Sequence, residues 1–161
     1  MATGVQVWSQ TPASNATVDT NINFAEGMGP SALNDSCRSL MASIAKWRDD
    51  KNGTLVTSGT SSALTLVTNQ VEGSLTNGFS INVTFGTNVS SAATLAVEGL
   101  AATPLQLYNG SALLGSEFLV GSNWCFTYTT TGTGQWIAQP TPAHSVASAS
   151  LAAFGWRFVM G

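Results

Sequence analysis

The spacing of apolar residues changes period partway along the chain, and that change limits the fold more than any other feature. Leu33, Cys37, Leu40, Ile44 and Trp47 follow one another at spacings of four, three, four and three. Such spacing keeps side chains on one stripe of an α-helix. From Thr54 onward the interval is two. Phe79, Ile81, Val83 and Phe85 alternate with Ser80, Asn82 and Thr84, as on a strand with one buried face. The chain therefore joins one helix to a domain of strands. Charge divides at the same place. Seven of the thirteen charged residues lie between Asp35 and Lys51, and after Asn52 only Glu72, Glu98, Glu117 and Arg157 follow.

The helix is expected from Pro30 or Ser31 to about Asp50. Gly29 can cap it, proline suits a first turn, and Asn52-Gly53 stops it. Lys46 and Arg48 sit near its C-terminus, where cations are favoured. A lone helix of this length is marginal in water, so its stripe must be packed. Two arrangements would cover it: the sheet of the same subunit, or a short parallel bundle of helices around a three-fold axis. The a/d spacing is that of helices that pack against copies of themselves. Leu33, Cys37, Leu40, Ile44 and Trp47 are accordingly the candidate oligomer interface.

Before the helix, residues 10–29 lack sustained periodicity and carry Pro12, Asn15, Asp19, Asn21, Asn23, Gly27 and Gly29. Residues 1–29 read as an extended arm, with a short strand over residues 5–9. Val5, Val7, Trp8, Val18, Ile22 and Phe24 need a surface to cover them. That surface is either the chain's own β domain or another protein.

After the helix, strands are expected at 63–68, around Phe79 to Phe85, at Leu95 and Val97, and at Leu105 and Leu107. A short one is expected at Phe118 to Val120. Trp124, Phe126 and Tyr128 share a face of the next strand, which turns at Thr131-Gly132-Thr133-Gly134 into Gln135-Trp136-Ile137-Ala138. Six to eight strands with Gly/Asn turns predict an antiparallel β-sandwich or jelly-roll-like domain over 52–139. Residues 140–161 form an apolar C-terminal tail with Phe154, Trp156 and Phe158, a candidate subunit contact. The whole is mainly β: arm, one amphipathic helix (30–51), β domain, tail.

Composition fits a folded chain that is poorly protected from association. Hydrophobic residues make up 43% of the 161 and charged residues 8%, against about a quarter charged in typical soluble domains. The net charge of -3 and the lack of a basic patch argue against nucleic acid. No apolar run approaches the ~20 residues that span a bilayer. The N-terminus lacks the basic and apolar regions of a signal peptide, so the expectation is synthesis in a cytoplasm. Cys37 and Cys125 are either separate thiols or a bridge, within one chain or between subunits.

Chemistry is sparse. The one histidine, His144, lies in a proline-flanked loop, and no cluster has metal-ligand spacing. Neither a nucleophile elbow nor a phosphate-binding glycine loop is present. Glu72, Glu98 and Glu117 stand alone and read as solvated surface rather than a glycosidase pair. Trp124, Tyr108 and Trp136 could stack on sugars, although alternating strand aromatics are more often core. The reading is of a non-enzymatic chain with no catalytic residues, no cofactor and no metal.

Trp8-Ser9-Gln10-Thr11-Pro12-Ala13-Ser14-Asn15 and Ile22-Asn23-Phe24-Ala25-Glu26-Gly27 resemble tail-fibre and related virion proteins of tailed bacteriophages. So do Pro30-Ser31-Ala32-Leu33-Asn34-Asp35-Ser36 and Ile44-Ala45-Lys46-Trp47-Arg48-Asp49-Asp50. The resemblance covers roughly residues 7–70, and the Trp-Arg-Asp-Asp helix end is its most specific part. It implies the particle-proximal part of a trimeric fibre, anchored to the virion through the arm. The implied partners are further copies of the chain and other tail, collar or capsid proteins. A capsid decoration or head-fibre protein, and a carbohydrate-binding module docking to a host surface glycan, are the alternative readings.

Overall fold

The computed structural model describes residues 3–70 and 73–139. The tail expected over 140–161, with His144, and the isolated Glu72 lie outside them. Among the described residues one α-helix, eight strands and two short 3-10 turns make up the regular structure, a mainly β protein as the periodicities require.

Helix α1 spans Pro30–Lys51, with Gly29 at its N-cap and proline at its first position. At about 1.5 Å per residue its 22 residues reach about 33 Å. Its C-terminus is fixed to the β domain by polar contacts. The Asp50 carboxylate is buried and accepts hydrogen bonds from the Asn69 amide N–H (2.8 Å), Asn69 Nδ2 (2.7 Å) and the Gln70 N–H (3.3 Å). Lys51 donates to the Ser80 carbonyl and hydroxyl and lies 5.3 Å from the centre of the Phe79 ring.

The strands are β1 Leu55–Val56, β2 Ser58–Gly59, β3 Ala63–Leu66, β4 Ser80–Thr84, β5 Thr94–Val97, β6 Thr103–Gln106, β7 Asn123–Thr129 and β8 Gln135–Ala138. They form one sheet in the order β1-β4-β7-β8-β6-β5-β3-β2. Its two outer strands, β1 and β2, are separated in sequence only by Thr57. The segment thus pairs with β4 through its first half and with β3 through its second, which nearly closes the sheet into a barrel. Thr57 makes the corner: its N–H donates to the Thr84 carbonyl (3.0 Å), and its Oγ1 accepts from the Gly86 N–H (3.1 Å). A Cβ at Gly86 would overlap the Thr57 carbonyl oxygen, so only glycine lets the chains approach this closely.

The sheet is mixed where the sequence predicts an antiparallel one. Among the described residues β1–β4, β3–β5 and β6–β8 are parallel, and the other four pairings are antiparallel. The core fills the barrel. Leu64, Leu66, Ile81, Val83, Phe85, Leu95, Val97, Leu105, Phe126 and Trp136 are each 2% exposed or less. Phe118 stacks on Phe85 at 5.1 Å. Phe118 to Val120 is not a strand. Phe118 is buried, but Leu119 and Val120 are exposed ahead of a turn at Gly121, whose φ is +79°.

The arm also departs from expectation. Instead of running extended, with a strand at 5–9, it coils through short 3-10 turns at Gly4–Gln6 and Pro12–Asn15. Gly4, at φ +78°, starts the first turn. The buried Asp19 carboxylate gathers the segment by accepting from the Gly4 N–H (2.7 Å), the Asn21 N–H (2.9 Å) and Trp8 Nε1 (3.3 Å). Gln70 Oε1 accepts from the Val5 N–H at 3.0 Å and so joins the arm to the loop that holds Asp50. Alternating Val5 and Val7 suggest a strand, but a left-handed glycine and a buried local carboxylate favour a turn.

Candidate association surface

Helix α1 turns its polar side to its own chain. Its only buried residues are Ser36 and Asp50. Ser36 Oγ donates to the Asn23 carbonyl (2.9 Å) and accepts from the Asn23 N–H (3.1 Å), which fastens the arm along one flank of the helix. The apolar stripe points the other way. Leu33 is 47% exposed, Ile44 48% and Trp47 43%, and Cys37 is exposed between them. Leu40 is half-buried beside a hollow that it shares with Trp8, Val18, Ile22 and Phe24.

The six arm residues divide. Ile22 is buried, Val5, Val7 and Trp8 are half-buried, and Val18 and Phe24 stand exposed next to the helix. Among the described large apolar side chains before Leu55, Ile22 is the only buried one. The arm and helix are therefore held largely by hydrogen bonds, beside an apolar surface that the described residues cover only in part.

One residue of this surface escapes a strict a/d reading. Met41 is 72% exposed and lines an open apolar hollow with Ile44, Ala45 and Arg48. It lies four residues after Cys37 and three before Ile44. A stripe three positions wide per heptad, the usual width of a core-facing helix, would have included it.

Charges border the face in pairs. Arg38 lies 3.7 Å from Asp35, and Arg48 donates to Asp49 at 2.8 Å. The hydrogen bond from Arg48 holds the Asp49 carboxyl below its ordinary range, and Asp49 in turn raises Arg48. Asp35, Arg38 and Arg48 are exposed and Asp49 is partly so, and such surface pairs add little stability. They do neutralise the border of the apolar stripe.

Both cysteines are free, Cys37 on the helix and Cys125 half-buried on β7. No bridge joins helix to barrel. Burial pushes the Cys125 thiol up, against a smaller downward pull from Lys51. Of the three aromatics considered for sugar stacking, Trp136 is fully buried and Trp124 is half-buried, 4.9 Å from the Phe118 ring. Tyr108 stands exposed. Among the described residues no group of three or more His, Cys, Asp or Glu could hold a metal ion. No described helix is long and apolar enough to cross a membrane. No protein-family model matches the chain, and a search of curated proteins finds no match.

Proposed function

We propose that this chain is a non-enzymatic structural protein of a bacteriophage virion, of the tail-fibre or fibre-adaptor type. It assembles as a homotrimer through α1 and joins the particle through its arm. One observation carries the reading: the helix exposes Leu33, Cys37, Ile44 and Trp47 while burying only Ser36 and Asp50. An isolated helix of this kind is marginal, and covering its stripe with further copies supplies the missing apolar burial. The low charge, the resemblance over residues 7–70 and the uncovered Val18 and Phe24 of the arm support the same reading.

Native mass spectrometry and sedimentation of the purified chain at micromolar concentration test the oligomer. Three copies are expected. A stable monomer with no partner-dependent assembly would count against the proposal. Electron cryo-microscopy of intact particles tests the location. Density at the tail or collar is expected, whereas many copies on the capsid lattice would assign a decoration protein instead.

A further inference from the structure

The apolar face of α1 is not smooth. It has a hole on one flank and a knob on the other. The hole is the hollow beside Leu40, about 140 Å³ in volume, which Trp8, Val18, Ile22 and Phe24 of the arm complete. A cavity of roughly 150 Å³ holds a group as large as benzene. The two polar members of the lining are already engaged within the arm, Asn15 with Ser9 and Asp19 with Gly4, Trp8 and Asn21. What the hollow offers a guest is therefore apolar contact. The knob is Met41, 72% exposed.

Their placement follows from the helix. Successive residues turn by about 100° and rise by about 1.5 Å. Leu40 and Met41 thus lie at almost the same height, on opposite sides of a line through Leu33, Cys37 and Ile44. Copies set around an axis parallel to α1, with that line facing the axis, share every height. Each then presents its Met41 to the Leu40 flank of the next copy, and the same contact repeats until the ring closes. We propose that Met41 of each copy inserts into the hollow of the neighbouring copy, so that every hollow is completed by a residue of another subunit. The inference rests on the homotrimer reading above and adds the register and direction of its contact. An unbranched methionine suits an irregular hollow, and its thioether gains from the rings of Trp8 and Phe24. Because arm residues form most of the hollow, assembly favours the coiled form of the arm.

A photo-reactive diazirine residue encoded at position 41 of the full chain tests the contact. After irradiation, covalent dimers and trimers are expected on a denaturing gel, with attachment mapped by mass spectrometry to residues 8–24 or to Leu40. Met41→Ala should raise the concentration of half-dissociation about tenfold or more, as an emptied apolar site does. Met41→Leu, which keeps the volume, should recover most of the loss. Native mass spectrometry of the wild type separates the two readings. A chain that stays monomeric overturns this inference together with the trimer. A trimer whose crosslinks fall elsewhere or stay within one chain, or that Met41→Ala leaves equally stable, overturns the insertion of Met41 and leaves the trimer standing.

Discussion

Asp50 is the residue on which the junction of helix and barrel depends. Its carboxylate accepts three hydrogen bonds from Asn69 and Gln70, and Gln70 in turn holds the arm at Val5. Asp50→Ala would leave those donors facing an empty site. The expected loss is about 2–3 kcal/mol, since bonds to a charged acceptor are each worth roughly 1.5–3 kcal/mol and water recovers part. Chemical denaturation should register it, with Asp50→Asn losing less. Glu117 illustrates a different use of a carboxylate. Burial would raise its pKa, but the N–H groups of Leu114, Gly115 and Ser116 point at it and hold it below the ordinary value. A depressed folded value gives stability that is present above the unfolded pKa, about 4.3, and lost as pH falls through the lower folded value. Protection of the 114–116 amides, taken relative to the intrinsic exchange rate at each pH, should therefore fall in acid. Glu117→Gln should show low protection throughout and flatten that dependence. The sequence showed Glu117 only as an isolated charge, because its partners are backbone groups shaped by the turn.

At the scale of the element, α1 was legible almost to the residue. Its caps, its stripe and its terminal basic residues are all local features. The direction in which the stripe faces was not, since that depends on Ser36 and Asp50 finding partners on the arm and the 69–70 loop. The strands with clean alternation, β4 and β7, were legible for the same local reason. Their pairing partners were not, because parallel contacts such as β3 with β5 join segments about thirty residues apart through closure of the sheet. The arm was misread because Val5 and Val7 alternate while Gly4 and Asp19 turn the backbone. Since Ile44 is outside the barrel core, the helix face can be tested without harming the fold. Ile44→Asp should place a carboxylate in an apolar interface, at a cost of several kcal/mol. Sedimentation should show dissociated subunits whose β signal in circular dichroism is unchanged. An intact trimer would exclude the helix as the oligomerisation element.

For the whole molecule, the described apolar core lies in the barrel, and the arm and helix stand outside it. The core runs from Leu55 to Ala138 and includes no residue of the arm or helix. Deleting residues 2–24 should thus leave the barrel's thermal transition in place and abolish incorporation into particles. Normal copy number of the truncated chain in purified virions would refute an anchoring role for the arm.

Near-closure of the barrel has a mechanical consequence. Strand β1 leaves the helix junction and runs toward the far end, and β8 runs the same way, ending at Ala138. Tension applied between residues 52 and 139 would pull both strands lengthwise, in opposite senses. Ladder hydrogen bonds lie roughly across the strands, so such a load shears the bonds of each strand together rather than peeling them one at a time. Pulled along this axis in single-molecule force spectroscopy, the barrel should yield at a much higher force than when pulled across the hairpin at Thr131. A domain wired this way transmits strain from one pole to the other without opening.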